Sequence, residues 1–257
     1  MEARKVNASH GWMWIKHGYW LFRKNPLLWM ALTAIGIVGL LGIAVIPVVG
    51  DPLATLLFPV LLAGFMFGCH ALAKGEELEL AHLFAGFQQH AQQLVTLGGV
   101  NLVGQLLVLG VMMLTGGATL VGILMSGKPV DDPAILMQAI AGAGFALLLG
   151  MTLFSVLMMA MQFAPMLVIF GKMQPIPALR ASLRAFLRNV IPLTVYAVML
   201  LPFAVLATLP MMLGWLVLLP IVITSMYAIY RDLFPTQEEP VPAVEGEAVT
   251  HDDQAHS

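Results

Sequence analysis

Long apolar runs alternate with short polar breaks along most of this chain, and each run is long enough to cross a bilayer, which takes about 20 mostly apolar residues in a helix. The first covers residues 26–48, with Pro26 suited to an opening turn because its missing N–H would have no partner there. The second covers 53–73. Gly50, Asp51 and Pro52 between them read as a tight turn, so the two runs form a helical hairpin. A third run, 94–125, ends in SGKPVDDP, the clearest aqueous loop of the chain. The fourth, 134–170, exceeds one bilayer thickness, which predicts tilt, a kink near Pro165 or an interfacial first turn. Pro192, Pro202, Pro210 and Pro220 punctuate the last apolar region, and a division at 210–214 gives spans of 190–209 and 211–230. From 234 to 257 the chain is acidic and Pro-rich with few large apolar side chains, the composition of a disordered tail. The pattern predicts an all-α, polytopic bundle of six transmembrane helices in one membrane domain, 1–233.

Three amphipathic stretches precede the three pairs of runs: WIKHGYWLFRKNPL, HLFAGFQQHAQQLV and ALRASLRAFLRNVI. They align without gaps. Ile15, Leu83 and Leu179 correspond, then Gly18, Gly86 and Ser182, then Asn25, Gln93 and Asn189 just before each run. On a 3.6-residue helix Trp12, Ile15, Tyr19 and Phe22 share a face, as do Leu80, Leu83, Phe87, Ala91 and Leu94, and Leu179, Leu183, Phe186 and Val190. Such helices are expected to be interfacial, apolar side toward acyl chains and polar side toward headgroups. The unit would be one amphipathic helix plus a hairpin, used three times over about 10–74, 79–171 and 174–231 as a pseudo-threefold repeat. The small residue at the second shared position permits close helix approach, and the elbow amides Asn25, Gln93 and Asn189 are placed to cap or bridge the bend.

Composition agrees: 60% of residues are hydrophobic, 10% are charged and the mean hydropathy is +0.89. The net charge of −2 hides a segregation. Acids gather at Glu76, Glu77 and Glu79 and in the tail. Six spans place Arg4, Lys5, Lys16, Arg23, Lys24, Lys74, Lys172, Arg180, Arg184, Arg188 and Arg231 on one side and Lys128 alone on the other. Basic loops stay in the cytoplasm, which predicts that both termini and all three amphipathic helices are cytoplasmic. The polar, aromatic first 25 residues lack the short apolar core of a signal peptide, so the N-terminus is expected to be retained. A lone cysteine, Cys69, excludes an internal disulfide.

Arg180, Arg184 and Arg188, four apart, together with Arg23 and Lys24, are candidates for binding anionic lipid headgroups or a phosphorylated ligand. The plainer reading is that they hold a helix at an anionic leaflet, and the two overlap. Within the runs the polar side chains are Asn101, Gln105, Gln138, Gln162, Ser155 and His70, with no obvious buried charge, which argues against a proton-coupled pump while leaving amides to line a path. His70 and Lys74, one turn apart with Glu77 nearby, read as an interfacial polar cluster rather than a titrating site. His82 and His90 are eight apart, off the four-residue step of a helical metal pair. The Met-rich LMMAMQFAPM raises Cu(I), a soft ion, but no Cys or His accompanies it and Met is also a packing filler. Nucleotide-binding and nucleic-acid motifs are missing, and no cofactor or metal is expected.

The elements MEAR, LFRKNPLLW within 11–29, and APMLVIFGKMQPIPALRASLRAFLRN resemble those of a family of uncharacterised proteobacterial six-helix inner-membrane proteins, over nearly the whole chain except the tail. That family often carries Cys where this chain has Phe186. More distantly the chain is similar to the membrane domain fused to some glycerophosphodiester phosphodiesterases, without a catalytic domain of that kind. The resemblance implies a bacterial inner-membrane location and supplies no activity. The expectation is a non-enzymatic membrane protein whose cytoplasmic amphipathic helices engage lipid or a partner in envelope maintenance. The alternative is a transporter or channel for a small or lipid-like molecule, with the polar residues of spans three and four near its path.

Overall fold

The computed structural model describes residues 3–126 and 133–235. Most of the SGKPVDDP loop, Lys128 included, and all but the first two residues of the acidic tail lie outside the described residues. Every regular element described is helical. Amphipathic α1 (His10–Lys24) leads into α2 (Pro26–Ala44) and α3 (Gly50–Ala73). The reversal between α2 and α3 falls at 45–49, with Val48 at φ 70°, and not at Gly50-Asp51-Pro52. Those three residues open α3, where an acid complements the positive helix end and a proline forfeits no hydrogen bond.

Amphipathic α4 (His82–Gln88) is short, and His90 at φ 59° turns the chain into α5 (Ala91–Met112). The third apolar run continues through a wide turn, Met113–Gly117, into α6 (Ala118–Ser126). Gly116 sits there at φ 104°, a conformation that glycine adopts without steric penalty. A break is unsurprising, since 33 residues from Ala91 to Ile123 would reach about 50 Å as one helix. The overlong fourth run resolves into α7 (Pro133–Gly142), α8 (Gly144–Met161) and α9 (Ala164–Ile169). Pro165 stands in the first turn of α9, directly after the break at Gln162 and Phe163. Amphipathic α10 (Pro175–Arg188), α11 (Val190–Thr208) and α12 (Trp215–Leu233) complete the chain. The division of the last apolar region holds, although α12 starts at Trp215 and runs on to Leu233. Phe234, expected in the tail, is buried against Phe163 and Tyr230. Six helices, taking α5–α6 and α8–α9 as continuous, are long and apolar enough to cross a membrane.

Each amphipathic helix packs on the spanning helix that closes another hairpin. A Cβ on Gly18 of α1 would collide with Ser225 and the Ile221 carbonyl of α12. One on Gly86 of α4 would collide with the Val60 carbonyl of α3. The Ser182 hydroxyl of α10 accepts a hydrogen bond from the Phe163 N–H and donates to the Met159 carbonyl, bridging α8 and α9 at 3.0 Å on each side. The expected orientation is therefore revised. Ile15, Phe22, Leu83 and Leu179 turn into the bundle and not toward acyl chains, because the small neighbouring residue lets the helix dock there.

Burial is concentrated in the half of the bundle that carries the amphipathic helices. In α2 the buried residues are Trp29, Leu32, Thr33 and Gly36, and in α5 they are Leu94, Leu97, Gly98 and Asn101, all in the first turns. All six residues of α9 are buried. The opposite ends of α2, α5 and α11 are largely exposed, as Val45, Leu107 and Leu209 illustrate.

Candidate functional site

The outward faces of the amphipathic helices combine apolar and basic side chains. Trp12, Leu80 and Ile176 occupy one aligned position and are 43%, 51% and 47% exposed. On α1, exposed Lys16 and Arg23 stand among exposed Trp12, Tyr19 and Trp20. On α10, exposed Arg180 and Arg184 stand between Ile176 and Leu187. Apolar bodies beside basic tips suit the boundary between acyl chains and headgroups. The five basic candidates do not converge on one pocket. Arg180, Arg184 and Arg23 are exposed, whereas Arg188 Nη1 donates to the Ala3 carbonyl at 3.2 Å. Lys24 Nζ donates to the Leu72 carbonyl at 2.7 Å and lies 4.0 Å over the Trp20 ring. Partial burial pushes that ammonium below the ordinary lysine pKa.

The elbow amides behave differently from one another. Asn189 is fully buried: its Oδ1 accepts from the Val6 N–H, and its Nδ2 donates to the Arg4 and Ala185 carbonyls, each at 3.0 Å. It ties the N-terminal segment to α10. Asn25 makes no side-chain cap on α2, and Gln93, inside the first turn of α5, pairs through Oε1 with His90 Nδ1 at 3.2 Å. The shared alignment position thus yields one bridge, because only at Asn189 does another backbone segment come within reach.

Sequence reasoning missed the anchor of that segment. Asp232, at the end of α12, has a side chain only 14% exposed and forms an ion pair with Arg4. Its Oδ2 also bonds Trp14 Nε1 at 2.8 Å and His10 Nδ1 at 2.7 Å, and its backbone carbonyl accepts from Arg4 Nε. An acid closing an apolar run was the signal available. The span was expected to stop two residues earlier, so the acid counted as loop.

His70, expected beside Lys74 and Glu77, also reaches across to α12 and α9. Its Nδ1 hydrogen-bonds the Tyr227 hydroxyl at 2.9 Å, and its ring lies 5.0 Å from that of Phe170. Arg231 Nη1 donates to the same hydroxyl at 3.3 Å. This cluster joins α3, the end of α9 and α12. Among the described residues no three His, Cys, Asp or Glu side chains gather as metal ligands.

Deeper in the bundle α8 stands off α2, α3 and α12, and the gap is a cavity of about 400 Å³. Thr33, Phe65, Met226 and Gln162 line its inner end, nearest the His70 cluster; Phe58, half exposed, lines its outer end. Thr33 Oγ1 already donates to the Trp29 carbonyl at 2.8 Å. The Gln162 amide has no hydrogen-bond partner among the described residues. Asn101 and Gln105 do not line this cavity. Asn101 is buried, its Oδ1 likewise without a partner among the described residues, and Gln105 is half-buried on α5.

Comparison with known proteins yields a relative along nearly the whole chain. A probable inner membrane protein of Burkholderia thailandensis is 32% identical over 265 residues, covering 94% of this chain and 97% of the relative. No family profile matches the chain. No solved structure matches it significantly.

Proposed function

Because the chain belongs to the family of that Burkholderia inner-membrane protein, we propose that it is a non-enzymatic, multi-pass inner-membrane scaffold whose amphipathic helices engage anionic lipid headgroups at the cytoplasmic surface. The observation that carries this reading is the exposed mixed face of α1 and α10, where Arg23, Arg180 and Arg184 stand among Trp12, Trp20, Ile176 and Leu187. Each guanidinium near an anionic surface contributes about 1 kcal/mol. The cytoplasmic orientation rests on the charge asymmetry of the loops. A three-unit construction is supported by the cyclic docking: α1 on α12, α4 on α3, and α10 on α8 and α9, each at the same aligned small position.

The test is lipid retention. Protein purified from membranes of phosphatidylethanolamine and phosphatidylglycerol is compared with the double substitution Arg180→Gln and Arg184→Gln by native mass spectrometry. Retained phosphatidylglycerol should fall at least about fivefold, the effect of roughly 1 kcal/mol, while phosphatidylethanolamine is unchanged. Equal phosphatidylglycerol in both proteins overturns the reading. A second reading, movement of a lipid-like molecule, is favoured by one observation, the cavity that reaches Gln162. A path through it would have to pass the His70, Phe170 and Tyr227 cluster at its inner end.

A further inference from the structure

The cavity between α2, α3, α8 and α12 has the size of a small-molecule site and the lining of one, apolar with a single polar group that has no hydrogen-bond partner among the described residues. That group is Gln162. An amide without a partner is unfavourable in hydrocarbon, where no water replaces the missing bond. Thr33 Oγ1, on the same lining, spends its proton on the Trp29 carbonyl and keeps only acceptor lone pairs. A ligand meets Gln162 with an acceptor for Nε2 or a donor for Oε1, and a carbonyl supplies the first.

The lining narrows its chemistry; Gln162 sits at the break between α8 and α9, beside the Met159 carbonyl and the Phe163 N–H that bond Ser182 of α10. No charged side chain lines the cavity, so an ionic headgroup would be buried without a counter-charge. Around the inner end stand Phe65, Met158, Met161 and Met226. Thioethers and a phenyl ring make favourable contacts with a flat ring. The outer end, at half-exposed Phe58, gives onto the bilayer.

We propose that this cavity binds a neutral ring-ketone lipid of the isoprenoid quinone class, its carbonyl accepting a hydrogen bond from Gln162 Nε2 and its tail leaving past Phe58 into the membrane. The proposal concerns occupancy and involves no electron transfer. It is independent of headgroup binding at the arginines of α10, and holds whether or not the molecule is moved. Native mass spectrometry of the full chain titrated with decylubiquinone tests it, with Gln162→Leu removing the donor, Gly36→Leu filling the cavity against Phe65 and Leu61, and Gln105→Leu as an amide outside the cavity. Unfolding temperatures report that each variant is folded. Saturable one-to-one binding is expected in the wild type and Gln105→Leu, weakened about tenfold in Gln162→Leu, as the loss of one buried hydrogen bond implies, and abolished in Gly36→Leu. Undiminished binding by Gln162→Leu, equal loss in the Gln105→Leu control, or a stoichiometric phospholipid with no quinone uptake overturns it.

Discussion

Gly18 is the residue on which the docking of α1 depends. Its own carbonyl accepts from Thr224 Oγ1 at 2.8 Å, so the two helices meet backbone to side chain with no room for a Cβ. Hydrocarbon offers helices no hydrophobic drive to associate, and close packing of this kind, with a hydroxyl across the contact, supplies the attraction instead. Gly39, on α2, faces open space. Gly18→Leu is therefore expected to destabilise by at least about 1–3 kcal/mol through overpacking. Gly39→Ala should be neutral or stabilising by up to about 1 kcal/mol, because alanine is the better helix former. Thermal unfolding of both in the same detergent checks this, and similar shifts would show that α1 is not held by close approach. The importance of Gly18 was legible in the sequence from its alignment with Gly86 and Ser182. Its partner was not, since nothing in the residues of α1 says which span lies beside it.

At the scale of the element, the three helix-to-span elbows share an amide by position and differ in what holds them. Asn189 is fully buried and bonds three backbone groups, two of them in the N-terminal segment, whereas Asn25 makes no cap. Removing Asn189 leaves the Val6 N–H and the Arg4 carbonyl unpaired. Asn189→Ala should cost about 2–3 kcal/mol and release that segment, so that trypsin cuts at Arg4 and Lys5 faster, while Asn25→Ala stays within roughly 0.5 kcal/mol. Equal proteolysis in the two variants would mean that Asp232, Arg188 and the Leu233 carbonyl hold the segment without Asn189. Hydropathy located the spans because a bilayer sets a length that apolar runs must meet. It did not locate the breaks at 113–117 and 143, because a local change of backbone geometry leaves the apolar pattern of MLTGG intact, whereas the break at 162–163 falls beside Pro165, where a kink is one of three expectations. Gln162 was visible as a polar residue in its run, but the cavity beside it depends on α8 standing off three helices that lie far away in sequence.

Across the whole molecule the packing is graded with depth, and this gradient is a property of the assembled bundle rather than of any one helix. The spans are apolar along their full length, with mean hydropathies between 1.5 and 2.3, so hydropathy cannot distinguish the half that meets protein from the half that meets lipid. The docked amphipathic helices make the distinction. They add side chains only at one end, so the core around Trp14, Trp29, Met66, Phe163 and Leu167 forms there, and the other end holds only a small cluster around Leu120, Ala139, Ala143 and Ala146. Within α5 alone the contrast is testable: Leu97 is 0% exposed and Leu107 is 65% exposed. Leu97→Ala should cost about 2–5 kcal/mol by opening a cavity among packed neighbours. Leu107→Ala, exchanging one lipid contact for another, should change stability by less than about 0.5 kcal/mol. Unfolding of both variants in one micelle gives the answer, and a comparable loss at Leu107 would require a protein partner over the far half, most simply a second copy of the chain. Without such a loss, that half is lipid-facing, and the cavity that opens at Phe58 draws its occupant from the bilayer around it.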